Sequence, residues 1–483
     1  MKIFSSFAVA VLICSSGFAQ KKQEQKIEIY PDSVLNDVSN KQFGINMDYL
    51  MDDDNYLKPK IKIADALKAM GVKYLRYPGG NKSDMNFFSK PPYDKSEPTL
   101  ARTGVKAVAG RNRAFNSDAT DFKNEVLDFD EFMDLCHKIG AEPVIVVAAD
   151  EYLVNYPEGS TWSSKSTLLE NAVEWVKYAN IKKKYNIKYW MIGNESWGPE
   201  NKNSSADIYA QDVVDFSKAM KAIDPSIFII PNGNTDGWWK TVLTKTAGHI
   251  DAISISNYPV YNLPNGFISY RDSIINFMHP VHTAIKAIDK YASITDKEKL
   301  KVIVAEYGPF DWANKKWPFI NTMGYNLANF ELTGEQFNEP RIAFSCFWNT
   351  RWIENDSVSY SVFDALDKNG NFNANGLGLS IWGNHLGNAM VKTTSTIHLR
   401  SFASYSSDKK TLWVYLINKS DEEITIKPVI QGYKTKKTNH VWELSSTGPN
   451  DTNPILAELE VNDNNKLIKV KPTSIKIIEF TIQ

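Results

Sequence analysis

Two glutamates, Glu195 and Glu306, each end an apolar run with the composition of a buried β-strand. The first closes Tyr189-Trp190-Met191-Ile192-Gly193-Asn194-Glu195 and the second closes Val302-Ile303-Val304-Ala305-Glu306. Such strands deliver carboxyl groups to the rim of a parallel sheet. Two carboxyls from different strands are what cleavage of a glycosidic bond with retention requires, one protonating the leaving oxygen and the other attacking the anomeric carbon. Gly193 allows a sharp backbone turn before Glu195. Trp197, on the same lip, offers an apolar wall that helps a general acid keep its proton near neutral pH. A nucleophile must instead stay ionised, and it needs donors or positive charge beside it. Arg76, just before Pro78-Gly79-Gly80, and Tyr258, at the end of another apolar run, are placed to serve Glu306.

Groups on separate strands need a scaffold that brings strand ends together. From about residue 41 the chain alternates short apolar runs with longer amphipathic stretches, the pattern of repeated βα units. Strands are expected at 43–47, 72–77, 143–148, 188–192, 227–231, 252–256, 301–305 and 343–348. Helices are expected at 61–70, 129–139, 168–183, 209–223, 274–291 and 324–337. Eight strands close a (β/α)8 TIM barrel, whose chemistry sits where the βα loops converge at the strands' C-terminal ends. The expected fold is therefore α/β, a barrel over 41–390 followed by a C-terminal all-β sandwich over 391–483. In that second region short strands at 411–417, 423–428, 467–470 and 475–482 are separated by turn residues. A strand within 20–40, at 26–30, is expected to join the sandwich. The long segment 78–122, rich in Lys, Arg, Asn and Pro, has the length of a functional rim loop.

The 483 residues carry 55 Lys+Arg against 56 Asp+Glu, a net charge of −1 that leaves no footprint for nucleic acid or an anionic membrane. Thirteen Trp and 22 Tyr suit stacking on sugar rings and serve equally for core packing. Residues 1–19 read as a secretory leader cut after Ala19, with a lipoprotein anchored through Cys14 as the weaker reading. No later run has the length of a membrane span. The expected product is a secreted or periplasmic protein that does not insert into the membrane. Cys136 and Cys346 fall in a helical and a strand pattern, as inert core thiols do.

The motifs GNESWG, LRYPGGN and VAEYG, on a barrel followed by a β-sandwich, resemble clan A glycoside hydrolases and are most similar to family 51, the α-L-arabinofuranosidases. The resemblance implies that Glu195 is the acid/base and Glu306 the nucleophile. It implies that Asn194 donates to the sugar 2-hydroxyl, that Asn81 helps hold the substrate, and that Trp348 lines the subsite floor. Asp48-Tyr49 stands where the family has Glu-His, and Ala305-Glu306-Tyr307 where it has Asp-Glu-Trp. Asp48 would therefore reach the sugar with a shorter side chain, and the sugar stays open. A polysaccharide or oligosaccharide substrate is expected, with no cofactor. Action on agarose-type galactans, xylosides, glucuronides or β-glucans, and non-catalytic polysaccharide binding, are the alternatives. Sequence leaves endo or exo action, transglycosylation and oligomeric state open.

Two further groups have metal-like spacing. His279 and His282, with Asp272 upstream, are read as helix surface rather than a metal site. Asp52-Asp53-Asp54 is read as a solvated loop rather than a calcium site, with lining of the substrate cleft, together with Asn46 and Asp48, as the alternative. No metal is expected.

Overall fold

The computed structural model describes residues 24–39, 43–49, 52–85, 88, 127–150, 164–198, 205–260, 263–310, 316–317, 320–351, 362–461 and 467–483. The leader at 1–19, Cys14 and most of the 78–122 segment lie outside these residues. The first strand, β1 (Gln25–Asp37), precedes a barrel made of β2 (Gly44–Asn46), β3 (Tyr74–Tyr77), β4 (Glu142–Val147), β5 (Tyr189–Ile192), β6 (Phe228–Ile230), β7 (Ile253–Asn257), β8 (Val302–Tyr307) and β9 (Ile342–Phe347). These eight pair in parallel in the order β6-β5-β4-β3-β2-β9-β8-β7. A parallel bridge between Asn232 and Ser254 joins the two ends, so the sheet closes as the expected (β/α)8 barrel.

Alternation along each strand sorts side chains onto two faces. Leu75, Tyr77, Ile145, Val147, Trp190, Ile192, Val302 and Val304 face the surrounding helices. Tyr74, Val144, Val146, Met191, Ile303, Ala305, Phe344 and Cys346 form a separate core inside the barrel. There Tyr74 stacks on Phe344 with centroids 4.0 Å apart. This apolar plug fills the barrel below its C-terminal rim. One position later on the inward face, the residues become polar, with Asn46 on β2 and Arg76 on β3.

The helices surround the barrel much as periodicity indicates. Helix Phe129–Ile139 starts with a capping box between Asp128 and Glu131, which satisfies two orphan N–H groups. The stretch expected as one helix over 168–183 is an α-helix, Lys165–Val176, continued by a π-turn, Lys177–Lys182. Two longer helices, Asp236–Lys245 and Ala374–His385, have no counterpart among the expected elements, nor do the short ones Asp54–Leu57, Phe267–Arg271 and Ile294–Lys299. Helix Ala374–His385 is buried on most sides and so carries no amphipathic stripe. Its glycines instead admit neighbours: a Cβ on Gly378 would fall 2.0 Å from Asn326 Oδ1 and one on Gly383 2.0 Å from the Met70 carbonyl oxygen.

The rest of the chain adds β10 (Ala389–Thr393), β11 (Leu399–Tyr405), β12 (Thr411–Asn418), β13 (Ile424–Ile430), β14 (Thr435–Ser445), β15 (Ile455–Leu459), β16 (Ile468–Val470) and β17 (Ser474–Ile482). With β1 they form one nine-stranded sheet, in which β1 runs parallel to β13 and antiparallel to β10. Ile426 and Val470 pack in one cluster with Leu412, Val414 and Ile478 from strands far away in the sheet order, so the sheet folds over on itself as a sandwich. Phe402, Tyr415, Ile417 and Ile477 on the other face join the core of the barrel helices. The contact is also ionic. Arg400 meets the buried Glu331 at 2.6 Å, and Lys419 donates to the Tyr270 and Ser273 carbonyls, each at 3.0 Å.

Candidate active site

Arg76 sits at the centre of the rim. Its neighbours Leu75 and Tyr77 face the helices, so alternation turns Arg76 into the barrel mouth, where it is only 2% exposed. Nη1 donates to Glu306 Oε1 at 3.0 Å and to Asn46 Oδ1 at 2.7 Å. Nη2 donates to Asn194 Oδ1 at 2.6 Å, and Nε lies 3.3 Å from Met191 Sδ. One planar fork thus ties together groups from four strands, which a single ammonium could not do. Asn46 is in turn fixed by donating to the Ala305 carbonyl at 2.8 Å.

Glu306 faces the same mouth because β8 is irregular. Ser256 pairs with Glu306 directly after Ile255 pairs with Val304, so Ala305 is an extra residue in the ladder. Such a bulge re-aims the side chain that follows it. Ala305 packs in the inner core, Tyr307 packs with the helices, and Glu306 between them meets Arg76 inside. Its second oxygen, Oε2, accepts from the Tyr258 hydroxyl at 2.8 Å. Burial first, then the carboxylates of Glu306 and Glu195, push the Tyr258 phenol well above its ordinary range, so it remains a donor. Both glutamates thus act on one phenol. At 5% exposed, Glu306 holds two charge-stabilising donors out of bulk water.

Glu195 lies on the lip after β5. Gly193 has φ +69° and Glu195 itself has φ +47°, and the Gly198 N–H closes the turn on the Glu195 carbonyl at 2.6 Å. Glu195 is half-buried, as is Trp197 on the same turn. Asn194 gives its oxygen to Arg76, which orients its amide nitrogen the other way. That nitrogen donates to Asn81 Oδ1 at 3.0 Å, so Asn81 joins the rim as well. Trp348 follows β9 and is 7% exposed. A Cβ on Gly80 would fall 2.6 Å from the Trp348 ring and 3.2 Å from Glu306 Oε1, so only glycine lets this loop pass so close to both.

Asp48 is buried after β2, and the N–H of neighbouring Tyr49 donates to the Pro78 carbonyl at 3.1 Å, beside the end of β3. Its position is set by the acidic run, which is not the solvated loop that composition suggests. Asp52 is fully buried and accepts from the Asp48 N–H at 2.8 Å, Thr350 Oγ1 at 2.6 Å and Arg351 Nε at 3.2 Å. Burial pushes its carboxyl up to about 6, against the pull of Arg351. Asp53 caps helix Asp54–Leu57 by accepting from the Asn55 N–H. The sequence holds no periodic signal for this pairing, since Asp52 and Thr350 are 298 residues apart.

The histidine group does not assemble. Asp272 pairs with Arg271 and His398, while His282 faces Glu339 at 3.4 Å from the helix His279–Tyr291. Among the described residues no cluster of three metal-ligating side chains occurs. Cys136 and Cys346 are buried free thiols; burial pushes Cys346 up to about 12. Among the described residues no helix is long and apolar enough to cross a membrane.

Residues 66–276, which include Arg76, Asn194, Glu195 and Tyr258, match the model of the α-L-arabinofuranosidase 1 domain. Over this part of its length the chain is similar to α-L-arabinofuranosidases. The chain is 30% identical over 273 residues to α-L-arabinofuranosidase C of Emericella nidulans, covering 52% of this chain and 48% of that one. It is 27% identical over 251 residues to an intracellular exo-α-(1→5)-L-arabinofuranosidase of Acetivibrio thermocellus, covering 48% and 44%. Among the curated relatives it matches, the spanned share of their length falls as low as 35%. In fold, the chain is similar to the α-L-arabinofuranosidase of Thermotoga maritima solved with arabinose, at TM-score 0.69 and 20% identity over 94% of this chain and 99% of that one. It is also similar to a family 44 xyloglucanase of Paenibacillus polymyxa, at TM-score 0.58 and 14% identity over 94% and 99%.

Proposed function

We propose that this chain is a retaining glycoside hydrolase that releases α-L-arabinofuranosyl units from plant or algal glycans by double displacement. The observation that carries the proposal is the unequal setting of the two rim carboxyls. Glu306 is buried and accepts from the Arg76 guanidinium and the Tyr258 hydroxyl, which hold its carboxyl in the barrel mouth. Glu195 stands half-buried on the lip, where an acid can reach a leaving oxygen and later a water. In the first step Glu306 bonds to the anomeric carbon as the bond to the leaving oxygen breaks, and Glu195 gives that oxygen its proton. In the second, Glu195 takes a proton from water, whose oxygen displaces Glu306. Arg76 positions Glu306 and Asn194 relative to each other throughout.

The arabinofuranosyl part of the proposal rests on the match over residues 66–276 and on the named relatives. Proton NMR of the first product from an aryl α-L-arabinofuranoside tests the mechanism: the released sugar should keep the substrate's anomeric configuration, and an inverted first product overturns double displacement. A panel of arabinans, arabinoxylans, agars, xyloglucans and β-glucans tests the sugar. Arabinose as the released product supports the proposal. Oligosaccharides alone would assign the site to an endo-acting clan A reaction, and binding without hydrolysis across the panel would assign it to polysaccharide capture. We also propose export, with cleavage after Ala19; a mature chain that begins at Met1 rather than Gln20 contradicts it.

A further inference from the structure

We propose that Asp150 is a positioning residue for the reaction: through Ser196, and backed by Asp84, it holds the turn that presents Glu195. The inference rests on the acid/base role proposed above for Glu195.

The turn needs an anchor. Glu195 has φ +47°, a left-handed conformation that a residue with a Cβ adopts only when its surroundings impose it. The residue that follows is pinned at both of its polar groups. The Ser196 N–H donates to Asn232 Oδ1 at 2.9 Å, and the Ser196 hydroxyl donates to Asp150 Oδ2 at 2.8 Å while accepting from Asn232 Nδ2 at 3.1 Å. Asn232 also donates to the Ile192 carbonyl at 3.1 Å, and Tyr209 donates to that carbonyl at 2.7 Å while accepting from the Asn232 N–H at 2.8 Å. The network thus grips the end of β5 on one side of Glu195 and Ser196 on the other. Asp150 fills the space inside the turn so closely that a Cβ on Gly193 would fall 2.7 Å from Asp150 Oδ2 and 2.6 Å from Ser196 Oγ.

Asp150 is 5% exposed, and a second carboxyl, Asp84 at 1% exposed, lies beside it. The backbone N–H groups of Ala149 and Asn194 face the Asp84 carboxyl. Burial and then the charge of Asp150 push Asp84 well above the usual carboxylate range, with Arg76 opposing. Burial also pushes the phenol of Tyr209, which faces the pair, well above its ordinary range. The Ser196 hydroxyl thus donates into a closed pair of buried carboxyls through Asp150. Asp150 and Asp84 act through the position of Glu195.

A mispositioned acid harms only substrates that need it. On a phenyl α-L-arabinofuranoside, Asp150→Ala should lower kcat/KM about 100-fold, the size expected for a catalytic group misplaced by about 1 Å. On a dinitrophenyl α-L-arabinofuranoside, whose leaving group needs no proton, kcat/KM should change little. Asp150→Asn keeps an oxygen for Ser196 and should restore most of the activity. Ser196→Ala cuts the link without disturbing the carboxyl pair and should show the same dependence on leaving group, which serves where Asp150→Ala folds poorly. Equal losses on both substrates, or none, for Asp150→Ala and Ser196→Ala overturn the inference. Glu195→Ala is the control. If it shows no leaving-group dependence, the acid/base assignment fails; if it does and the other two variants do not, this inference fails alone.

Discussion

Glu306→Ala is expected to lower kcat on an aryl α-L-arabinofuranoside on the order of 10⁴-fold or more, the scale seen when a nucleophile is deleted from a site whose other groups remain. The reason lies in what the substitution leaves behind. Arg76 keeps two of its bonds, to Asn46 and Asn194, so the rim should hold its shape while the attacking atom is gone. The methyl of alanine also opens a space beside the Arg76 guanidinium, which then has an unpaired N–H facing a cavity of positive potential. Azide or formate should enter that cavity and attack the anomeric carbon from the vacated side. The expected result is recovery of turnover in the presence of azide, with a glycosyl azide of inverted configuration as product. Glu195→Ala with azide should instead give a product of retained configuration, because there the anion meets an intact glycosyl-enzyme. Wild-type-like turnover by Glu306→Ala, or a retained azide product from it, would remove Glu306 from the nucleophile's role.

That glutamate also shows where sequence reading succeeds and where it runs out. Alternation alone aims Arg76 correctly, because Leu75 and Tyr77 are apolar and must face the helices. Alternation misaims Glu306. Counting from the inward Ile303, Glu306 would face outward, and only the bulge at Ala305 turns it into the mouth. The reading reached Glu306 through its place at the end of an apolar run, which a bulge does not disturb. Strand positions were legible for a similar reason, since buried parallel strands are short apolar runs between amphipathic helices. Helix Ala374–His385 was not legible, because a helix buried on most sides has no polar face to give it a period. The acidic run at 52–54 misleads because composition reports charge and not partners, and Arg351 is 299 residues away in the chain, just after β9, which pairs beside β2. Asp150, Ser196 and Asn232 were missed altogether. Each is an ordinary loop polar residue in sequence, and only convergence beneath one turn gives them meaning.

The Arg76 fork makes the second large prediction, and it concerns both stability and rate. In Arg76→Met the apolar chain still fills the space beside Met191, but Glu306 Oε1, Asn46 Oδ1 and Asn194 Oδ1 all lose their donor inside a closed rim. Breaking a buried pair by removing one partner costs about 3–5 kcal/mol, because the other charge stays buried. A carboxylate left without its cation relieves that cost by taking up a proton, and a protonated carboxyl does not attack. Arg76→Met should therefore lose activity at neutral pH by about 100-fold or more and unfold at lower urea concentration. Arg76→Lys keeps a charge for Glu306 but not the fork that reaches Asn194 as well, so it should fall between wild type and Arg76→Met in both measurements. A double-mutant cycle separates charge from packing. If the cost of Arg76→Met comes mainly from stranding Glu306, then adding Glu306→Gln should make the same substitution markedly less destabilising, because a neutral amide needs no cation. An unchanged cost in the Glu306→Gln background would mean that Arg76 serves the rim chiefly through Asn46 and Asn194, as a brace between strands, and that Glu306 keeps its charge by the Tyr258 bond instead.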